Sequence, residues 1–228
     1  MKILVLGDGL LGSTIINKTN WDYISRKKDS IDIANSTTWK HKLKGYDAIV
    51  NCIAYTNTYD TSKQPNWDIN YKAVSDIVKI CNNNKQKLVQ ISTDYIYAHS
   101  KPNCSEEEVP VHLDTWYGYT KLLGDAYVQL ECNDYLVIRE SHKPYPFPYS
   151  KAWDNQFTNG DYVTIIADII IKLIIQGAVG VYNVGTETKT WYDLTSKEFN
   201  TIPTLATKGS PLNITMNLDK LNTFLNDK

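Results

Sequence analysis

The chain has 228 residues, of which 24 are basic and 25 acidic, for a formal charge of −1. That balance argues against a dedicated nucleic-acid surface, which would carry a basic excess. A hydrophobic content of 42% with 21% charged residues describes a globular chain and excludes a disordered one. The length allows one large domain, or one and a half, with a core that needs no covalent staples. Cys52, Cys81, Cys104 and Cys132 form no Cys-x-x-Cys pair and have no His at zinc-ligand spacing. No metal site is therefore expected, and scattered thiols suit a reducing compartment. The apolar stretch Met1–Ile16 is broken by Asp8 and glycines, which makes a poor signal peptide. A second stretch, 163–175, is interrupted by Asp168 and Lys172 and is shorter than the ~20 residues a bilayer requires. The expectation is a soluble, cytoplasmic protein with no membrane partner.

In chain order, short apolar runs alternate with helix-like segments. Lys2–Leu6 reads as a buried strand and Leu10–Asn17 as a helix. Asp22–Ser25 is a weak second strand, and Ser30–Ile33 a third, reached after too few residues for a full crossover helix. Asp47–Ala54 is a strong buried strand, Ile69–Asn82 has helical spacing, and Lys87–Ser92 is another strand. A polar loop containing Pro102 and Pro110 leads to a helix over Tyr117–Leu130 and a strand over Tyr135–Arg139. Lys143–Tyr149 carries three prolines between aromatic rings, so it predicts a ring-packed loop. Asp161–Gln176 predicts a long helix, Gly180–Val184 a strand, and Tyr192–Phe199 and Leu218–Leu225 short helices. Strand–helix alternation with near-continuous Ile/Val/Leu strands predicts a parallel sheet covered on both faces. Such sheets bind ligands at the carboxyl ends of their strands, here just after residues 6, 25, 54, 92 and 139.

The first of those ends carries Gly7-Asp8-Gly9-Leu10-Leu11-Gly12, a G-x-G-x-x-G between strand and helix. Gly7 permits the tight turn, Gly9 leaves room for a pyrophosphate, and Gly12 lets helix and strand approach. The helix N-terminus then offers N–H groups and a positive dipole end. The second strand ends in Ile24-Ser25-Arg26-Lys27-Lys28, without the acid that holds an NAD ribose. Arg26 is one of only two arginines, with Arg139, and a cationic fork suits a 2′-phosphate. NADP(H) is accordingly favoured over NAD(H).

A Tyr-x-x-x-Lys pair places both side chains on one helix face, where an ammonium can lower the phenol pKa and the phenol can protonate a ketone oxygen. Four pairs occur: Tyr23/Lys27, Tyr59/Lys63, Tyr97/Lys101 and Tyr117/Lys121. The last heads a helix and follows a strand ending in Ile91-Ser92-Thr93, whose Thr93 hydroxyl would be the second donor to the carbonyl. Ser92 should point to the opposite face. His142 is a candidate pH-sensitive or substrate group. Glu106-Glu107-Glu108 reads as a solvated acidic loop before a Mg²⁺ site. Arg139, at a strand end, could meet a phosphate or carboxylate, or brace the loop.

With these residues placed, the chain resembles the extended short-chain dehydrogenase/reductase superfamily, and within it the dTDP-4-dehydrorhamnose reductase family. The likeness rests on GDGLLG at 7–12, IDIAN at 31–35, VNCIAYT at 50–56, STDYIY at 92–97, YGYTKLLGD at 117–125, LVIRES at 136–141 and GVYNVG with TKTWYDL within 180–194. It implies a Rossmann-like, doubly wound α/β fold with a cofactor domain over 1–140 and a small, shortened C-terminal substrate-binding region over 141–228, interleaved with the last strands and helices. It also implies Thr93, Tyr117 and Lys121 as the catalytic trio. The cofactor would be lined by Gly7, Gly9, Leu10, Leu11, Gly12, Arg26, Asp32, Ile33, Ala54, Tyr55, Thr56 and Ile91, with Asp32 and Ile33 flanking the adenine. Lys121 would hold the nicotinamide ribose beside Tyr117, and Thr93 and Asp94 would meet a nucleotide-sugar substrate, with His142 a further substrate candidate on its position alone. The related dehydratases carry Asp then Glu after the catalytic Thr, whereas Thr93-Asp94 is followed here by Tyr95, which favours a reductase. The family's Ile-Arg-Thr-Ser and its following Trp are replaced by residues 138–142, Ile-Arg-Glu-Ser-His. Trp153, Tyr145, Phe147 or Tyr149 could supply the missing wall. The alternatives are a nucleotide-sugar epimerase holding NAD tightly, and an inactive NADP-binding regulatory subunit. A homodimer is an open expectation.

Overall fold

The computed structural model describes residues 1–108 and 115–226; Pro110 of the polar loop lies outside them. The elements run β1 (Ile3–Leu6), α1 (Leu10–Thr19), β2 (Asp22–Ile24), α2 (Arg26–Asp29), β3 (Ala48–Asn51), α3 (Lys63–Trp67), α4 (Ala73–Asn84) and β4 (Lys87–Ile91). After these come α5 (Trp116–Glu131), β5 (Tyr135–Arg139), β6 (His142–Lys143), β7 (Lys151–Trp153), β8 (Phe157–Thr158), β9 (Asp161–Tyr162), α6 (Val163–Ile175), β10 (Gly180–Asn183), β11 (Lys189–Thr190), α7 (Trp191–Thr195), β12 (Ile202–Thr204) and α8 (Asp219–Asn226).

Six strands form one parallel sheet in the order β10-β5-β4-β3-β1-β2. Alternate side chains sort into two cores, as the period of two demands. Ile3, Val5, Val50, Val89 and Ile138 face α1 and α6. Leu4, Leu6, Ile49, Leu88 and Val137 face α4 and the far end of α5. The apolar run 163–175 is α6, lying on the first of these faces, and its Asp168 pairs with Lys18 of α1 at 2.8 Å. Among the described residues no helix is long and apolar enough to cross a membrane.

The predicted strand at Ser30–Ile33 is absent. Ser25 caps α2 by accepting from the Lys28 N–H, and Ser30 closes that helix in a left-handed conformation (φ 54°). Ile31 and Ile33 then enter the core from a loop, so their hydrophobicity is used without strand pairing. Because β2 and β3 pair on opposite sides of β1, the sheet order reverses between β1 and β3, opening a crevice above their carboxyl ends. A second departure sits in the predicted helix at 69–82. It starts earlier, at Lys63, and passes through a π turn at Asp68–Lys72 before α4. The ring-packed loop is as expected: Tyr145 lies edge-on to Tyr162 and Phe199, and Phe147 to Tyr149.

Candidate functional site

The glycine turn has the geometry its residues require. Gly7 adopts φ +93°, and a Cβ there would come within 2.6 Å of the Ile53 side chain. A Cβ on Gly12 would lie 2.2 Å from the Gly7 carbonyl oxygen, so α1 can reach β1 only over a glycine. Gly9 is different: it opens α1 with no side-chain cap, and nothing lies within 4 Å of where its Cβ would be. Above it is a cleft of about 600 Å³ lined by Gly7, Asp8, Gly9, Arg26, Lys27, Ile33, Ala54, Tyr55 and Thr56, among others. The Ser25 hydroxyl bonds Asp8 at 3.0 Å, and Asp29 accepts from the Ser25 N–H at 3.1 Å, which fixes the short helix that presents Arg26 and Lys27.

Some expected cofactor residues fall elsewhere. Leu11 is buried among the core side chains of α1, while Leu10 is 44% exposed. Neither side chain is among those that line the cleft. Asp32 is exposed and caps its own turn through the Ala34 N–H, whereas Ile33 does line the cleft. Asn70, which sequence reasoning passed over, holds the far wall: its side chain accepts from the Tyr55 N–H at 2.8 Å and donates to the Tyr55 carbonyl at 3.1 Å. The π turn aims it there, and the close approach of α5, where a Cβ on Gly124 would sit 2.4 Å from the Asn70 carbonyl oxygen, locks the arrangement.

Thr56 also lines a second pocket of about 470 Å³, together with Thr93, Tyr95, Tyr117, Glu140, His142 and Trp153 among others. Thr93 caps the turn that starts at Asp94 by accepting from the Tyr95 N–H at 3.2 Å. Tyr117 stands in the first turn of α5, with its ring edge-on to Tyr95. Lys121 is buried one turn further on, and its Nζ donates to the Ile91 carbonyl at 2.5 Å.

The expected acidification of the phenol is not what these charges do. Burial pushes the Tyr117 pKa up, and Glu140 and Asp94 add to the rise; only hydrogen bonding with Thr93 opposes it. Burial also brings the Lys121 ammonium down to about 8, despite the nearby carboxylates of Glu140 and Asp125. With its ammonium committed to a backbone carbonyl, Lys121 is not the dominant influence on the phenol.

Asp94, expected to meet a substrate, is instead fully buried. It turns inward, accepting from Thr158 at 3.2 Å and Thr93 at 3.4 Å, and burial raises its pKa to about 7. Ser92 points to the opposite face, as predicted, and donates to Asp125 at 2.8 Å. Arg139 binds that same carboxylate in a bidentate pair at 3.0 and 3.1 Å and donates to the Tyr97 hydroxyl at 2.7 Å. It is a brace behind the pocket, and the phosphate role considered for it does not hold. Glu106 is likewise engaged, accepting from the Asn183 N–H at 2.9 Å.

His142 does face the pocket, with Nδ1 2.8 Å from Glu140 Oε2. Glu140 was not anticipated. The signal was present, a carboxylate standing at the end of a buried strand where burial demands a partner. Of the aromatic residues considered for a wall, Trp153 and Tyr149 line this pocket, Phe147 lines a neighbouring cavity of about 600 Å³, and Tyr145 packs against other rings.

Comparison with known proteins is consistent with this geometry. Residues 1–142 match the model of the RmlD substrate binding domain. The spore coat polysaccharide biosynthesis protein SpsK of Bacillus subtilis is 26% identical over 148 residues, a match covering 61% of this chain and 52% of that protein. The dTDP-4-dehydrorhamnose reductase of Mycolicibacterium smegmatis is 27% identical over 148 residues, covering 60% and 44%. The chain thus spans about half the length of these relatives. Among solved structures, a hypothetical dTDP-4-dehydrorhamnose reductase from Sulfolobus tokodaii superposes with a TM-score of 0.85 at 22% identity, covering 98% of this chain and 94% of that one. The dTDP-4-dehydrorhamnose reductase of Bacillus anthracis, in complex with NADP, gives 0.82 at 21% identity, covering 98% and 93%. A UDP-glucuronic acid 4-epimerase from Bacillus cereus, in complex with NAD, gives 0.76 at 17%, covering 100% and 91%. At these identities the structural likeness establishes the fold, a Rossmann-like α/β sheet. By the family match over its first 142 residues, the chain belongs to the RmlD substrate-binding family of extended short-chain dehydrogenase/reductases.

Proposed function

We propose that this protein is an NADPH-dependent reductase of a 4-keto-6-deoxy nucleotide sugar. The observation that carries the reading is the adjacency of two cavities. The cleft over the glycine turn and the pocket holding Thr93 and Tyr117 share Thr56 and lie along one edge of the sheet. An extended dinucleotide laid along that edge would run from Arg26 to the Tyr117 hydroxyl.

The residues present fit such a cofactor. The open space over Gly9, an uncapped helix start with no acid in its first turn, and two cations at the rim suit a phosphorylated dinucleotide. Arg26 and Lys27 would hold a 2′-phosphate, Ile33 would cover the adenine with Asp32 beside it, and Ala54, Tyr55 and Thr56 would line the middle of the cleft. When bound, the reduced nicotinamide supplies the hydride. Tyr117 would donate the proton to the substrate oxygen and Thr93 would hold that oxygen. Lys121, fixed on Ile91, would hold the ribose and the start of α5. A burial-raised phenol pKa keeps the Tyr117 hydroxyl protonated, which is the state a proton donor needs. Residues 1–140 would serve the cofactor and 141–228 the substrate, with Trp153 and Tyr149 as the apolar wall.

The test is absorbance loss at the NADPH band with a panel of 4-keto-6-deoxy nucleotide sugars. Wild type should turn over one of them, and Tyr117→Phe should abolish turnover while retaining NADPH binding. Normal turnover by Tyr117→Phe would refute the assignment. Tightly held NAD in purified protein would favour an epimerase, and NADPH binding with no turnover of any sugar a regulatory subunit.

A further inference from the structure

His142 and the carboxylate that holds it, Glu140, stand in the same pocket as Tyr117. We propose that Glu140 and His142 form the proton reservoir of the site: the His142 imidazolium restores the proton that the Tyr117 hydroxyl gives to the substrate oxygen. This rests on the reductase reading and deepens it.

Two geometric observations support it. His142 and Tyr117 line the same 470 Å³ pocket. Glu140, buried at the carboxyl end of β5, holds His142 through Nδ1 at 2.8 Å, so Nε2 is the ring nitrogen left for the pocket. A carboxylate that orients one imidazole nitrogen and stabilises its cation is a recurrent arrangement for proton transfer. The other charges facing the ring are consistent. From the β4 end, Asp94 favours the cation; within β6, Lys143 opposes it. On β9, which pairs with β6, Asp161 is turned toward Lys189 at 3.2 Å and Thr186 at 2.6 Å. On α5, Tyr117 and Lys121 face the same Glu140. Lys143 itself lies over the Trp191 ring at 4.3 Å, which anchors β6. Burial lowers the His142 pKa, but Glu140 outweighs it, and the net shift is upward.

The step balances. The carbonyl carbon gains the hydride as a new C–H bond, and the carbonyl π pair moves to oxygen. Oxygen takes the Tyr117 proton, the phenolate takes the His142 proton across the shared pocket, and the neutral imidazole is reprotonated from solvent. Glu140 is a positioning residue. It touches no reacting atom and acts by holding the ring and its charge.

The experiment measures kcat against pH with the best keto-sugar substrate, NADPH affinity, and the His142 titration by NMR, on wild type, His142→Gln and Glu140→Gln. Wild-type kcat should fall as pH rises through the His142 pKa, which should lie above 6.5. His142→Gln should lose that limb and about 10²-fold in kcat at pH 7, with NADPH affinity unchanged. Glu140→Gln should move both the limb and the NMR titration to lower pH together, a shift that a merely structural carboxylate would not produce. Wild-type kcat and pH profile in His142→Gln would overturn the proposal. If wild type reduces no sugar, the reductase reading fails first. The reservoir then falls with it if His142 titrates at or below 6.5 or is unmoved by Glu140→Gln, and a raised titration that does move shows the charged pair intact without that reaction.

Discussion

The glycine-turn cleft and the Tyr117 pocket are parts of one edge of one sheet, yet they are built by different physics. The cleft is set by backbone geometry within a few residues: a positive φ at Gly7, a backbone approach at Gly12 that would bring an added Cβ within 2.2 Å of the Gly7 carbonyl oxygen, and open space at Gly9. The pocket is set by side chains that arrive from distant segments, with Thr93 after β4, Tyr117 on α5, Glu140 and His142 after β5, and Trp153 on β7. Local constraints tolerate few residue types, whereas long-range ones depend on charge partners that sequence order does not reveal. The cleft should therefore break by steric substitution and the pocket by charge substitution.

The largest effect is expected behind the pocket. Asp125 is the shared acceptor for Arg139 and Ser92, all buried. Asp125→Ala leaves Arg139 charged and unpaired, at a cost of about 3–5 kcal/mol. Thermal unfolding should show a fall of roughly 10 °C at about 2–4 °C per kcal/mol for a chain of this size. A fall of under 2 °C would show that the brace is dispensable.

Within the cleft, two glycines separate folding from binding. Gly12→Ala forces a Cβ against a backbone oxygen and should cost about 3 kcal/mol or more, whatever ligand is present. Gly9→Ala meets nothing and should leave the melting temperature of the free protein unchanged while weakening NADPH binding. Equal effects of the two on stability would erase the distinction. At the rim, Arg26→Gln should weaken NADPH by about tenfold or more and NADH little, since a charge-assisted bond is worth about 1.5–3 kcal/mol. Equal losses for both dinucleotides in a fluorescence titration would remove Arg26 as the phosphate reader.

The smallest effect is pH-dependent. Asp94 has its folded pKa raised from 3.8 to about 7 by burial. The folded state then binds its proton more tightly than the unfolded chain does. Its stabilising contribution is full below about 4 and is lost as pH rises through about 7. Asp94→Asn should therefore gain melting temperature relative to wild type by a few degrees between pH 5 and pH 9. A difference that is flat with pH would place the carboxylate in a solvated setting.

The same contrast explains what the sequence disclosed. Six sheet strands and their helices were legible because alternating burial leaves continuous Ile/Val/Leu runs. Ser30–Ile33 misled because apolar residues in a loop can reach the core without pairing, once Ser25 and Ser30 bound a short helix between them and β2. The π turn at Asp68–Lys72 was invisible because it leaves the apolar spacing of the flanking helices nearly intact, while its consequence, Asn70 holding Tyr55, spans 15 residues. Thr93, Tyr117 and His142 were nameable from motif and position, but their electrostatics were not. The inward turn of Asp94, the Lys121 bond to Ile91 and the Glu140–His142 pair all depend on which chains are adjacent in the folded sheet.

The central claim is that one dinucleotide spans both cavities and passes its hydride to a sugar carbonyl beside Tyr117. Following deuterium from NADPH labelled at the nicotinamide hydride position into a 4-keto-6-deoxy nucleotide sugar tests it most directly. The account predicts one deuterium on the sugar's C4 in the product of the wild-type protein and none with Tyr117→Phe. NADPH bound with no deuterium in any sugar, or label passing equally in the Tyr117→Phe variant, would contradict it.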